Sequence, residues 1–283
     1  MNIGILSAGG VCPGVNTVIR SITLHEKRQG NRVYGFNEGF RGVNYNMKSR
    51  INTDDLNEGA GTILRTSYDG VIIDNATKYL DGFDRLYCIC GNGSMKDAAN
   101  MSQHPHIHTN IIGIAKSIYD DIPKIESLGF QTAVQEIARY IDCVYTESSS
   151  TNSVVFLETP EKESGKLAMY SSLARLSKVD VVMTPEAMNN DFDFEIRNKF
   201  LSQGHVVVVV SQACDYESIV KGLDMETKIL KPSYLIRDRE PCVYDNILAN
   251  RMANEAFIHA QTERDFIKGA TGIVSFKDYL EIV

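Results

Sequence analysis

Long apolar runs are missing from this chain: the most hydrophobic stretch, residues 206–210 (VVVVV), is far short of the roughly 20 residues a spanning helix needs. A basic excess is missing too. The 29 Lys and Arg face 36 Asp and Glu, and the formal charge of −7 argues against broad nucleic-acid binding, which wants a basic face. That balance leaves room for a local basic pocket around a small phosphorylated ligand. The six cysteines lack metal-ligand spacing. Cys88 and Cys90 alternate along a presumed strand, and Cys12, Cys143, Cys214 and Cys242 lie far apart, so reduced core thiols are expected. The opening MNIGILSAGG has no basic head and meets two glycines before an apolar signal region forms. The expectation is a cytoplasmic protein with neither membrane nor nucleic acid as partner. No low-complexity segment or short-period repeat occurs, and neither the Walker A nor the dinucleotide fingerprint spacing is present.

What the chain does contain is ordinary for a soluble protein, with 43% hydrophobic and 23% charged residues. At 283 residues it is long enough for a large core and a second domain. Residues 2–7 form a compact apolar run ending in Ala8-Gly9-Gly10 and then Val11-Cys12-Pro13-Gly14. Val15, Val18, Ile19 and Ile22 follow at helical spacing, closed by the polar stretch 26–30. Strand, glycine turn and helix in that order suit a phosphate, since glycines let backbone N–H groups approach it and the helix start adds a favourable dipole. Residues 32–36 read as the next strand, and the segment from there to Leu56 as polar and irregular. Residues 59–67 (GAGTILRTS) offer another small-residue turn with hydroxyls and Arg65.

Residues 85–90 (RLYCIC) form a buried strand followed by Gly91-Asn92-Gly93-Ser94 and a helix through Met101. This second strand–glycine–helix unit predicts a parallel, doubly wound sheet. Residues 111–122 (IIGIAKSIYDDI) place Lys116, Ser117, Asp120 and Asp121 after another short strand. A cation, a hydroxyl and paired carboxylates together suit phosphoryl or acyl chemistry. Residues 129–143 read as helix, and the Ser- and Thr-rich stretch 145–153 as a domain crossover. Strand–helix alternation then resumes with strands at 153–157, 180–183 and 206–210 and helices at 166–177 and 191–202. The fold class expected is α/β, with two doubly wound Rossmann-like domains and a cleft between them. His104, His106 and His108 read as a surface loop, and Asp191, Asp193 and Glu195 as the start of a helix.

Taken in order, these turns resemble those of the phosphofructokinase family. Ser7-Ala8-Gly9-Gly10-x-x-Pro13-Gly14-x-Asn16 is similar to its opening nucleotide loop, Gly61-Thr62-x-Leu64 to its next loop, and Gly91-Asn92-Gly93-Ser94 to its Gly-Gly-Asp-Gly-Ser. Lys116-Ser117-Ile118-Tyr119-Asp120-Asp121 resembles Lys/Gly-Thr-Ile-Asp-Asn-Asp. Gly129-Phe130-x-Thr132-Ala133, Thr184-Pro185-Glu186 and Tyr244-Asp245-x-Ile247-Leu248-Ala249-x-Arg251-Met252 continue the match over nearly the whole chain. The resemblance implies a nucleotide-binding-type domain from residues 1–140 plus 245–283 and a substrate-binding-type domain from 141–244. It implies ATP or pyrophosphate with Mg²⁺ as donor, fructose 6-phosphate or another phosphorylated small molecule as ligand, and a homo-oligomer, dimer or tetramer. The donor-site positions it implies are Gly9, Gly10, Gly14, Tyr68, Gly91, Asn92, Gly93 and Ser94.

Several family chemistries change residue type here. The metal-site acid falls on Asn92, the catalytic base on Tyr119, and an arginine facing the transferred phosphate on Tyr68. Asp120 takes a neutral position and Asp121 keeps an acidic one. The implied substrate positions become Thr151 and Lys228 in place of arginines, Tyr234 in place of a histidine, and Glu158 and Lys162 in a substrate loop recast as ETPEKES; Glu186 and Arg237 keep their types. A phenol with a pKa near 10 is a poor base at neutral pH, and Asn removes a full negative charge from a metal. The leading expectation is therefore a divergent homologue with impaired or lost kinase activity that retains a ligand cleft or a regulatory role. The alternatives are an active ATP- or pyrophosphate-dependent phosphotransferase and an oligomeric interaction protein with a vestigial cleft.

Overall fold

The computed structural model describes residues 1–187 and 191–282. In chain order it begins β1 (Asn2–Ala8), α1 (Val15–Arg28), β2 (Arg32–Phe36), α2 (Phe40–Asn44), β3 (Lys48–Arg50), α3 (Ile73–Tyr79), β4 (Arg85–Cys90), α4 (Asn92–Ser102) and β5 (Asn110–Ala115). Next come α5 (Phe130–Thr151), β6 (Val154–Thr159), α6 (Lys166–Leu173), β7 (Val181–Met183), α7 (Phe192–Gln203), β8 (Val206–Ser211), α8 (Glu217–Gly222) and β9 (Thr227–Leu230). The chain finishes with α9 (Val243–His259), β10 (Phe266–Lys268), β11 (Ile273–Ser275) and α10 (Phe276–Leu280). It divides into two compact units, Met1–Gly129 with Asp238–Val283, and Phe130–Arg237.

The first unit carries a seven-stranded sheet in the order β11-β10-β5-β4-β1-β2-β3. Its middle five strands are parallel, and β3 and β11 add antiparallel edges. Strands covered on both faces should be apolar along their whole length, and β4 and β5 are buried at every position. Among the polar groups buried in this core is a partnered cluster. Glu26 of α1, fully buried, accepts from Arg85 at 3.1 Å and from the Tyr87 hydroxyl at 2.7 Å, so its charge is paired and bonded. α9 packs against α1, where the Thr17 hydroxyl donates to Asn246 at 2.8 Å, and β10 pairs with β5, so the segment from Asp238 onward completes the first unit.

The second unit holds a four-stranded parallel sheet, β7-β8-β6-β9. Its core joins Val154 and Phe156 to Val206, Val208 and Val210, with Ile196 and Phe192 of α7 on one face. Asp191 caps α7 by accepting from the Phe194 N–H at 3.1 Å, with Asp193 and Glu195 in the first turn.

Two local expectations change. The stretch before Leu56 is not irregular: α2 buries Phe40 and Val43, and β3 pairs antiparallel with β2. The Ser- and Thr-rich run after Cys143 is the last third of α5 rather than a crossover. Such residues favour turns because their hydroxyls compete for backbone groups. Here those of Thr146 and Thr151 bond the carbonyls of Asp142 and Glu147 one turn back, and buried Ser148 bonds Ser153 and Val206, so the helix continues.

Candidate functional site

In the first unit the order of the strands reverses between β1 and β4, the position where open α/β sheets bind ligands beyond their carboxyl ends. Register makes the three chemically rich turns meet there. Ala8 pairs with Cys90 and Cys90 with Ala115, so β1, β4 and β5 finish level, and the segments after them lie side by side.

The turn after β1 is tightly wired. Gly9, at φ +85, donates its N–H to the Ser67 carbonyl at 2.8 Å, while its own carbonyl accepts from the Thr66 hydroxyl at 2.6 Å. A Cβ on Gly9 would lie 3.1 Å from Ser94 Oγ, so this turn and the start of α4 are in contact. Gly14, at φ +88, occupies the N-cap of α1, with Leu128 where a side chain would go. Both α1 and α4 start at a glycine with no side-chain cap, which leaves first-turn N–H donors for an anion. Gly91 is the N-cap of α4, and Asn92, Gly93 and Ser94 form its first turn.

Lys116 is only 2% exposed, and its ammonium donates to the Gly10 carbonyl, fixing a positive charge inside the glycine turn. Beyond it the chain makes a closed excursion. Ser117 N–H donates to the Leu128 carbonyl at 3.0 Å, and Leu128 N–H donates to Ala115 at 3.1 Å. Within this excursion the two acids are internally engaged. Asp120, at φ +53, accepts from the Ser127 N–H at 2.6 Å, and Asp121 accepts from the Ser117 hydroxyl. Asp and Asn tolerate that left-handed backbone through local bonds of this kind. Tyr119 is half-buried, with its N–H on Ser117 Oγ at 3.2 Å.

Asn92 is held from the far end of the sequence. The hydroxyl of Tyr279 in α10 lies 2.9 Å from both Asn92 Oδ1 and its backbone carbonyl oxygen. Tyr279 is fully buried, and that burial, with the nearby Asp121 carboxylate, raises the pKa of its hydroxyl, so it stays a phenol. Sequence reasoning missed this residue, since one aromatic in a short terminal helix gives no spacing signal. Tyr68, by contrast, is 77% exposed.

In the second unit the implied substrate positions fall into local groups. Thr151 and Lys228 meet, with Lys228 Nζ 3.0 Å from Thr151 Oγ1, but the same ammonium is paired to Glu147 at 2.7 Å and Glu226 at 3.3 Å. Glu158, at the end of β6, accepts from the Tyr216 hydroxyl at 2.7 Å and pairs with Lys231 at 3.0 Å. Lys162 is exposed. Tyr234 and Arg237 share one 3₁₀ turn, the Arg237 N–H donating to the Tyr234 carbonyl at 3.0 Å. Glu186 follows β7, its carboxyl held below the usual range by its own backbone N–H, the Thr184 hydroxyl and Gly165. The residue that the reading passed over is Glu161, 1% exposed, whose Oε1 accepts from Ala168 N–H at 3.0 Å while burial pushes its pKa up to about 7. Burial, and then neighbouring Glu186 and Glu161, push the Cys214 thiol up to about 11.

A family model described as Phosphofructokinase matches residues 2–260. ATP-dependent 6-phosphofructokinase 1 of Arabidopsis thaliana is 32% identical over 83% of this chain and 51% of its own length. The chain spans about half the length of the first curated relatives it matches. The ATP-dependent 6-phosphofructokinase of Natranaerobius thermophilus is 30% identical over 90% of this chain and 84% of its own. Among solved structures, Pichia pastoris phosphofructokinase in the T-state superposes with a TM-score of 0.87 over 99% of this chain and 38% of that one, at 18% identity. The pyrophosphate-dependent phosphofructokinase of Nitrosospira multiformis does so at 0.86 over 98% of this chain and 83% of that one, at 16% identity. The strand order, the three aligned turns and these similarities lead to one conclusion: the chain belongs to the phosphofructokinase family.

Proposed function

We propose that this chain is a divergent phosphofructokinase homologue whose phosphoryl transfer to fructose 6-phosphate is lost or strongly impaired, and whose first unit binds a nucleotide or another phosphorylated small molecule. The observation that carries this reading is the closed excursion after β5. Tyr119 stands where the family's base would be, and each of the two acids that follow holds one oxygen on the loop's own N–H or hydroxyl group. A shift of Asp120 into the base position would break its bond to Ser127 and reorder a residue held at positive φ.

Magnitudes support the same side. A positioned base contributes about 10²–10⁴-fold and an arginine on the transition state about 10³–10⁵-fold. Both residue types are replaced here, by Tyr119 and Tyr68. The glycine-led starts of α1 and α4 and the buried Lys116 support retained anion binding. Self-association belongs to the same reading, and the exposed Val243, Tyr244 and Ile247 of α9 give an apolar face that a second copy could cover. A coupled assay of fructose 6-phosphate phosphorylation with ATP and with pyrophosphate, run beside calorimetry with the same ligands, tests the proposal. Turnover at the level of ordinary family members overturns it.

A further inference from the structure

We infer that the first unit takes its phosphorylated ligand as the bare polyanion, without a divalent cation. Tyr279 holds the group a metal would need, and Lys116 supplies the fixed positive charge. This inference rests on the phosphate-binding reading just given and adds the form of the ligand.

Mg²⁺ binds hard oxygen donors in near-octahedral geometry and in phosphate sites is held by one or two carboxylates besides the phosphates. The start of α4 offers it the neutral amide of Asn92. Both oxygens of that residue lie 2.9 Å from the Tyr279 hydroxyl, so a metal there would compete with a phenol already seated. Asp121 already accepts from the Ser117 hydroxyl. The residues present do not fit the ion.

The phenol is also fixed in place. Gly113 of β5 has no side chain, and a Cβ there would lie 2.7 Å from Met95 Sδ and 3.2 Å from the Phe276 ring. That missing side chain lets α4 and α10 close together over the strand. Ser275 caps α10 by accepting from the Asp278 N–H at 3.0 Å, and Phe276 and Tyr279 are both fully buried. Tyr279 is therefore a positioning residue that ties the first turn of α4 to the end of the fold.

What the turn does supply is positive. The buried Lys116 ammonium sits on the Gly10 carbonyl, and the uncapped starts of α1 and α4 add the partial charge of their N–H groups. A phosphoanhydride oxyanion meets these donors directly, whereas complexation by Mg²⁺ would mask the charge they recognise. ATP and inorganic pyrophosphate share that chemistry, and separate titrations tell which is taken.

The test is calorimetry of the full chain with ATP and with pyrophosphate, each in excess EDTA and in excess Mg²⁺. The expected result is binding in EDTA at least as tight as in Mg²⁺ for one of the two. Lys116→Met should weaken binding in EDTA by about tenfold or more, the scale of one charge-assisted hydrogen bond. Tyr279→Phe keeps the ring and frees Asn92, so its affinity should become tighter in Mg²⁺ than in EDTA, with circular dichroism confirming the fold. Binding that requires Mg²⁺ in the wild-type protein overturns this inference and leaves the phosphate-binding reading standing. A Tyr279→Phe variant with the wild-type response to Mg²⁺ removes Tyr279 from the explanation and overturns its assigned part. Binding of neither ligand in either buffer overturns both readings.

Discussion

Both units are built from parallel strands whose ends carry loops and helix starts, yet they finish those ends in opposite ways. In the first, β1, β4 and β5 stop in register, two helices begin at uncapped glycines, and a buried lysine sits among them. In the second, the polar groups after the strands close on one another, Glu158 on Tyr216 and Lys231 and Glu161 on the backbone N–H of α6, and at the opposite edge of the sheet, where β9 starts, Lys228 is paired with Glu147 and Glu226. Uncapped helix-start N–H groups attract an anion, whereas a cation between two carboxylates has little charge to offer a phosphate. The same architecture can leave helix-start donors open in one unit and satisfy the polar groups of the other internally.

The largest effect expected concerns catalysis. Turnover of fructose 6-phosphate with either donor should fall at least ~10³-fold below that of ordinary family members. The pair Tyr119→Asp with Asn92→Asp should raise the residual rate by about tenfold or more if the loop is what limits it. A rate that does not move assigns the loss to Tyr68, Thr151 and the recast substrate loop instead.

Next in size is a pH effect confined to the second unit. Burial pushes the Glu161 carboxyl from an ordinary 4.5 up to about 7, so between those values the folded unit holds a proton that the unfolded chain has released. Its stability therefore falls as pH rises through that window, by about 3 kcal/mol at ~1.4 kcal/mol per unit. Denaturant melts of wild type and Glu161→Gln between about pH 5 and pH 8 read this directly: the gap should widen with pH in favour of Gln. Parallel curves would show that Glu161 does not titrate there.

Gly9→Val attacks the contrast from the other unit. At φ +85, with a new Cβ 3.1 Å from Ser94 Oγ, the turn must shift, and ATP or pyrophosphate affinity should drop by about 10- to 100-fold. Retained affinity would move the anion site away from the glycine turns. The smallest effect belongs to Lys228→Met, which should leave that affinity unchanged in the same titration, since its charge is already spent on Glu147 and Glu226. A loss there would return the second unit's cation to the ligand.

The three turns after β1, β4 and β5 are legible in the sequence because their signals are short-range. A strand ending in Gly9-Gly10, another ending in Gly91, and Lys116 after a third are each visible in a few residues. The helical tail of α5 was not, since Ser and Thr read locally as turn formers until their hydroxyls find carbonyls one turn back. The pairing of Lys228 with Glu147 joins residues 81 positions apart, and only β9 beside β6 and the end of α5 brings them together.

The sequence by itself determined the family, the parallel α/β alternation, and the presence of Tyr119 and Asn92 where the resemblance implies a base and a metal acid. Those are statements about residue type and order, which need no partner in space. Only the tertiary structure decided what such residues touch. It placed Tyr279 against Asn92 across 187 positions, tied Asp120 to Ser127, and set the Lys116 ammonium on Gly10. A donor or acceptor is defined by where its partner lies, and those partners are chosen by strand register and helix packing rather than by neighbours in the chain.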